Sequence, residues 1–297
     1  MQNNSLNRYT RGWYFVLPGL VAMLLIVAFP LAIAFRFSLH DVFLYDFANQ
    51  WFVGLENYRY ALQDPLFLNS VRVTALFTIA NTVGCLVVGM LVAFLLSGKK
   101  IRFKAGWMAL FLIPFVMTPV IVGITWRLFM WEPDFGVVNQ MLGLFGIGGP
   151  YWLTDRSTAL FATALTNAWH LTPMAILVLY AALTTIPEEL YEAARVDGAG
   201  PFQTLWHVVL PMIRSHILFV SIIIMTSAFR EFDMVFTMTG GGPGRSTTVL
   251  SILAYNRGIA NQDMGMANTI AFTMFIIMAV VAWLYIKVYR VNKEASA

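Results

Sequence analysis

Six apolar runs set the terms for this chain of 297 residues. Each is near the roughly 20 residues that a helix needs to cross a hydrocarbon core about 30 Å thick. They read as spans over Trp13 to about Phe35, Val73 to Leu96, Trp107 to Met130, Ala159 to Leu183, Ile217 to about Met238, and Ala267 to Val288. The expected fold class is therefore an all-α membrane protein with six transmembrane helices. Composition agrees: 59% of the residues are hydrophobic and 11% charged, against roughly 45–50% and 25% in a soluble domain. No stretch between the runs reaches the size of a soluble catalytic or nucleotide-binding domain, which takes about 50 residues or more. Any ATP chemistry must then belong to a partner. The first run exceeds the roughly 7–15 residues of a secretory h-region, so it reads as a retained span despite the cleavage-like Ala32-Ile33-Ala34.

Lysine and arginine, sorted between alternate loops, orient the chain. One side collects Arg8, Arg11, Lys99, Lys100, Arg102, Lys104, Arg195, Arg214, Lys287, Arg290 and Lys293, eleven in all. The other holds eight, spread over longer loops: Arg36, Arg59, Arg72, Arg127, Arg156, Arg230, Arg245 and Arg257. The eleven mark the cytoplasmic side, which places both termini there. Acidic residues split five to ten the other way, so the sides carry 11 − 5 = +6 and 8 − 10 = −2, matching the net +4. A basic excess of this kind follows from topology, and nucleic acid is not an expected partner. The single cysteine, Cys85, lies inside a span, which excludes a disulfide framework and a Cys-based metal cluster.

Trp51, Phe52, Tyr58, Tyr60 and Phe67 in the first outer segment, and Trp131, Tyr151 and Trp152 in the second, are rings of the kind that settle at the membrane–water boundary. The inner loop between the fourth and fifth runs differs from the other short loops. It runs from Ile186 through Pro187, Glu188, Glu189, Leu190, Tyr191, Glu192, Ala193, Ala194, Arg195, Val196, Asp197 and Gly198 to Pro211. Pro187 fits a first helical position, the glutamates suit the positive end of a helix dipole, and Gly198 is placed to end the helix. A short helix of about 11 residues is expected, then a turn and a second helix stopping before Pro211. Leu190, Ala193, Ala194 and Asp197 fall on one face, where the two alanines would let another protein approach closely. A Lys/Arg-rich helix lying on the inner leaflet would be built otherwise.

Glu192-Ala193-Ala194, Gly198, Val208 and Leu210-Pro211 together resemble the "EAA" loop of ABC importer permeases. Two further stretches are similar to the carbohydrate importers of the maltose type. One is Phe52-Val-Gly-Leu-Glu-Asn-Tyr58 with Asp64-Pro65, and the other is Phe229-x-x-Phe232-Asp233 leading to Thr239-Gly-Gly-Gly-Pro243. The resemblance implies a type I importer permease fold, with one peripheral helix before a five-helix core. Residues 1–12 would be a cytoplasmic tail, 13–290 the permease domain with its coupling loop at 186–211, and 291–297 a second tail. It also implies a multi-pass subunit of the cytoplasmic (inner) membrane, embedded in lipid. Its partners would be a second homologous permease, two ATPase subunits and an extracytoplasmic solute-binding protein that delivers a carbohydrate. ATP and Mg would sit on the ATPase subunits, with no cofactor on this chain. Glu192 would anchor the loop in a cleft of the ATPase, Ala193 and Ala194 would give the close approach, and Gly198 the turn.

The sugar contacts of that family fall, by distance from these motifs, on Asn167, His170, Leu171, Met174, Ser227, Ala228 and Glu231. Most differ from the maltose pattern, notably the charged Glu231, which argues against maltose itself. His170 either packs within its span or lines a substrate path, and Glu231 either pairs with Arg230 or the second permease or meets the solute. Gly240-Gly-Gly-Pro-Gly-Arg-Ser-Thr lacks the lysine of a Walker loop and lies on the outer side. The remaining histidines have no paired metal spacing. A permease for peptide, phosphate or polyol is the alternative within the same class. A secondary transporter would show inverted repeats, and a membrane enzyme would need converging acids or metal ligands at the inner face.

Overall fold

The computed structural model describes residues 16–98 and 101–294, with side chains through Lys287. The expected tail 1–12, Arg8, Arg11, Trp13, Lys99, Lys100, the side chains of Arg290 and Lys293, and residues 295–297 lie outside the described residues; residues 291–294 continue the last helix. The chain divides into two compact units, one of Met1–Asp64 with Leu253–Phe275 and the other of Pro65–Ile252 with Ile276–Ala297.

The first unit opens with α1 (Val16–Ser38), whose most apolar window has no buried residue, as a peripheral helix requires. Its end is tied down by the first outer motif. Val53 and Gly54 both donate backbone N–H groups to the Leu39 carbonyl, with Gly54 at φ +59. Asn57 donates to the Ser38 and His40 carbonyls at 3.1 and 3.0 Å, and the Tyr58 and Ser38 hydroxyls share a 2.7 Å bond. Strands β1 (His40–Asp41) and β2 (Trp51–Phe52) pair antiparallel beside them, followed by α2 (Glu56–Gln63). Asp64 accepts from Arg257 at 2.6 Å. The motif is thus a clamp of hydrogen bonds on backbone carbonyls that would otherwise be orphaned at the helix end.

The second unit is built on α3 (Pro65–Ser97) and α7 (Ala159–Thr184). Gly84 faces Ala168, and a Cβ on Gly89 would lie 2.5 Å from that of Ala175. Small residues thus let two backbones approach without a strong hydrophobic drive between helices. Polar groups lock the seam: Asn167 donates to the Asn81 side chain at 2.8 Å, and the Cys85 thiol points at the Ala168 carbonyl at 3.4 Å. Around them lie α4 (Lys104–Val116), α5 (Pro119–Met130), α6 (Val137–Leu144), α8 (Glu188–Val196), α9 (Pro201–Phe229) and α10 (Asp233–Thr239). Helix α11 (Leu250–Tyr255) and α12 (Met264–Glu294) complete the chain.

Among the described residues five helices are each long and apolar enough to cross a membrane, and α4 with α5, bent by 93° at the break between them, meet the same test only when taken together. The third expected span, Trp107 to Met130, is thus two helices and not one continuous helix. Met117 and Thr118 are extended, at ψ 146 and 144, because Pro119 disfavours helical geometry in the residue before it. A correction concerns Pro211, which does not stop its helix. A π turn at Leu205–Val209 widens the backbone just ahead of it, and the helix runs through to Phe229. The wide turn relieves the clash with the preceding turn that a proline ring brings. In α1 a π turn at Leu24–Ala28 stands in the same relation to Pro30. The fifth span accordingly ends at Phe229, short of the expected Met238.

Candidate functional site

Helix α8 starts at Glu188, one residue later than expected, and Pro187 takes the capping position with extended backbone. Glu188 and Glu189 occupy its first turn and Arg195 its last, as the helix dipole favours. Its end is a Schellman closure. The Gly198 N–H donates to the Arg195 carbonyl at 3.1 Å and the Ala199 N–H to the Ala194 carbonyl at 2.9 Å, with Gly198 at φ +77. That conformation is one only glycine adopts without strain. Gly200 and Gln203 then start α9, the Gly200 N–H donating to the Gln203 side chain at 3.0 Å. A rigid elbow results, joined by short turns to a span at each end.

Glu192 and Ala193 are exposed on this elbow, and Val196 is 86% exposed. Ala194 is not on their face. At 7% exposure it is turned inward, on the side of half-buried Tyr191, which packs against the core cluster containing Ile186 and Val209. The expected pairing of Ala193 and Ala194 on one docking surface is corrected: the outward strip is Glu189, Glu192, Ala193 and Val196, at helical spacing. Burial pushes the Tyr191 hydroxyl above its ordinary range. A groove of about 720 Å³ runs along the inner side of α8, walled by Phe94, Leu183, Ile186, Tyr191, Arg195 and Pro201. Phe202 and Trp206, ring centroids 6.0 Å apart, stand exposed at the start of α9. No motif in the sequence singles out these two rings.

The residues expected to meet solute have mixed surroundings. Asn167, His170, Leu171 and Ala228 are buried, while Met174, Ser227 and Glu231 are half-buried. Asn167 is fully buried, its amide nitrogen is committed to Asn81, and its Oδ1 has no hydrogen-bond partner among the described residues. His170 Nδ1 lies 2.8 Å from the Pro114 carbonyl. A carbonyl only accepts, so that nitrogen carries the proton and Nε2 is left as an acceptor in the neutral ring. This bond caps α4 just where the chain bends toward α5. Glu231 accepts the Met234 N–H at 2.9 Å and so holds the start of α10. Burial raises its carboxyl above the usual range, opposed mainly by that hydrogen bond. Arg230, its neighbour, is exposed.

The glycine-rich turn closes on itself. Gly240, Gly241 and Gly244 have φ of +59, +93 and +54. The Gly241 and Gly242 N–H groups donate to Thr239, while the Thr247 and Thr248 hydroxyls donate to the Gly242 and Gly241 carbonyls, both at 2.7 Å. Donors spent inside the turn are unavailable to a phosphate.

Residues 70–290 match the family model described as binding-protein-dependent transport system inner membrane component. The chain is 33% identical to a trehalose/maltose transport system permease protein of Thermococcus litoralis, over 95% of each chain. It is 32% identical to a sulfoquinovosyl glycerol transport system permease protein of Agrobacterium fabrum, covering 92% of this chain and 88% of the relative. Its fold is similar to that of a chain of a bacterial ABC transporter that imports the acidic polysaccharide alginate. That similarity has a TM-score of 0.76 at 21% identity and covers 96% of this chain and 97% of the other.

Proposed function

The chain belongs to the family of binding-protein-dependent transport system inner membrane components, and we propose on that premise that it is half of the translocation pathway of an ATP-driven importer for a sugar or sugar-derived solute. The observation that carries the reading is the α8 elbow, which puts Glu192 on an exposed, glycine-closed helix with a span joined to each end. Such an element can pass a partner's movement to the spans without chemistry of its own. In this reading two ATPase subunits hold ATP and Mg, and Glu192 and Ala193 dock in a cleft of one of them. A second, homologous permease completes the path in the cytoplasmic (inner) membrane, and an extracytoplasmic binding protein delivers the solute. The relatives named for trehalose, maltose and sulfoquinovosyl glycerol support a carbohydrate over a peptide or phosphate.

The solute would pass along the half-buried Met174, Ser227 and Glu231, with Asn167, His170, Leu171 and Ala228 behind them. Hydroxyl-rich solutes need both donors and acceptors, and His170 Nε2 and the Glu231 carboxyl are acceptors. Glu231→Gln keeps an oxygen to accept the Met234 N–H, so the fold is expected to survive while the charge is lost. Removing one hydrogen-bonding partner from a polar solute costs about 1–3 kcal/mol, roughly tenfold to hundredfold in affinity. Uptake of several sugars by proteoliposomes checks this: Glu231→Gln should change the order of preference and leave ATPase coupling near wild type. Unchanged preference in Glu231→Gln, His170→Ala and Asn167→Ala together would move the solute path to the second permease.

A further inference from the structure

Residues 135–154, twenty consecutive positions between Asp134 and Asp155, contain no Asp, Glu, Lys or Arg. A water-exposed loop of that length would carry about five at the usual soluble frequency. The segment is firmly held all the same. Asn139 on α6 donates to the Pro133 carbonyl at 3.0 Å and the Pro150 carbonyl at 3.4 Å, and it accepts from the Trp152 indole at 2.6 Å. On the inner side of α6, Val138 packs against the cluster of Val122, Trp131 and Met234. The Trp131 indole is pinned to Thr166 at 2.9 Å, and its ring meets those of Trp126 and Trp152 at 5.7 and 5.0 Å.

The other side of α6 is apolar and uncovered. Leu144 is 84% and Phe145 79% exposed, and Met141 and Ile147 are also exposed. This surface does not end at the loop. Trp152 touches Phe161, which stands exposed at the outer end of α7, and Ile124, Leu128 and Phe129 are exposed along α5. The strip itself carries no charged residue, and the one exposed charge on that stretch of α5, Arg127, donates to the Thr237 carbonyl at 3.2 Å; a firmly held apolar face of this kind fits hydrocarbon better than water. A soluble partner that comes and goes would leave it bare between visits.

We propose that α6 and the loop up to Tyr151 are seated in the outer leaflet, with Met141, Leu144, Phe145 and Ile147 at the acyl boundary and the tryptophan cluster at headgroup level. The anchor fixes the bent α4–α5 span from its outer end. The inference rests on the chain being a multi-pass membrane protein and is independent of which solute or ATPase it serves. The test uses the full transporter complex in nanodiscs of phosphatidylcholine and phosphatidylglycerol, with Leu144→Cys or Phe145→Cys carrying an environment-sensitive fluorophore. Ser157→Cys, exposed in the next turn, is the water-facing reference, and wild type with its buried Cys85 is the labelling background. The expected result is blue-shifted emission at 144 and 145, quenched several-fold more by a nitroxide on the lipid than by aqueous iodide, with the order reversed at 157. Iodide quenching at 144 equal to that at 157 overturns the proposal. So does protection from both quenchers, which would place the second permease on this face, or protection gained only on adding the binding protein.

Discussion

Glu192→Lys is expected to abolish uptake by the assembled transporter while leaving the chain inserted in the membrane. The side chain is exposed on α8, and the helix keeps its first-turn acids and its Gly198 closure, so the single chain loses nothing it needs to fold. In the proposed complex the carboxylate meets a basic residue of the ATPase, and reversing its sign turns an attraction into a repulsion. Losing a desolvated, hydrogen-bonded charge contact costs about 2–5 kcal/mol, enough to release the ATPase from purified membranes. Ala193→Trp, on the same outward strip, should act alike. Ala194→Trp is a different experiment, because that side chain is already buried within its own subunit. It should lower the amount of folded chain before it touches docking. Co-purification of the ATPase with each variant distinguishes the two effects.

Gly89→Leu is expected to be the most damaging substitution within the spans. Its Cβ alone would meet the Ala175 Cβ at 2.5 Å and the Ala175 and Ile176 backbone at 3.3 Å, so a longer side chain cannot be absorbed by a rotamer change. Overpacking of this kind costs about 1–3 kcal/mol and occasionally more. Here it also prises apart the seam that the Asn167 to Asn81 hydrogen bond holds shut. Gly84→Ala is the matched control, since a Cβ there stays 3.8 Å from Ala168, ordinary contact distance. Thermal unfolding in detergent, followed by size-exclusion chromatography, should show a clear drop for Gly89→Leu and little change for Gly84→Ala. Equal melting of the two variants would contradict a close-packed α3–α7 seam.

How far these features could be read from residues alone depended on whether local rules governed them. The apolar runs and the α8 elbow were legible because they rest on short-range physics: length against bilayer thickness, acids at a helix start, glycine at its end. Proline defeated the reading in opposite ways. Pro211 looked like a stop, yet the π turn before it lets the helix continue, and nothing in the local pattern announces a π turn. Pro119 lies within the apolar run from Trp107 to Met130, and with Met117 and Thr118 extended it marks a bend of 93°. Side-chain facing was harder still. Ala193 and Ala194 are neighbours in sequence, and which of them turns outward is decided by how the helix seats on the rest of the fold, which buries Ala194 and leaves Ala193 exposed. Local pattern allows His170 either packing or solute lining. Its Nδ1 is used by the Pro114 carbonyl, a contact across fifty-six positions that no periodicity encodes.

The central claim is that this chain conducts a solute under a partner's ATP hydrolysis, and reconstitution tests it most directly. The chain, its companion permease and the two ATPase subunits are placed in proteoliposomes, and accumulation of a radiolabelled sugar is followed with binding protein and ATP supplied on opposite sides. Accumulation should require all the components and ATP, fall to background with Glu192→Lys, and be accompanied by hydrolysis that loaded binding protein stimulates. The purified chain alone should hydrolyse nothing. ATP hydrolysis by the chain by itself, or full accumulation with Glu192→Lys, would contradict the account.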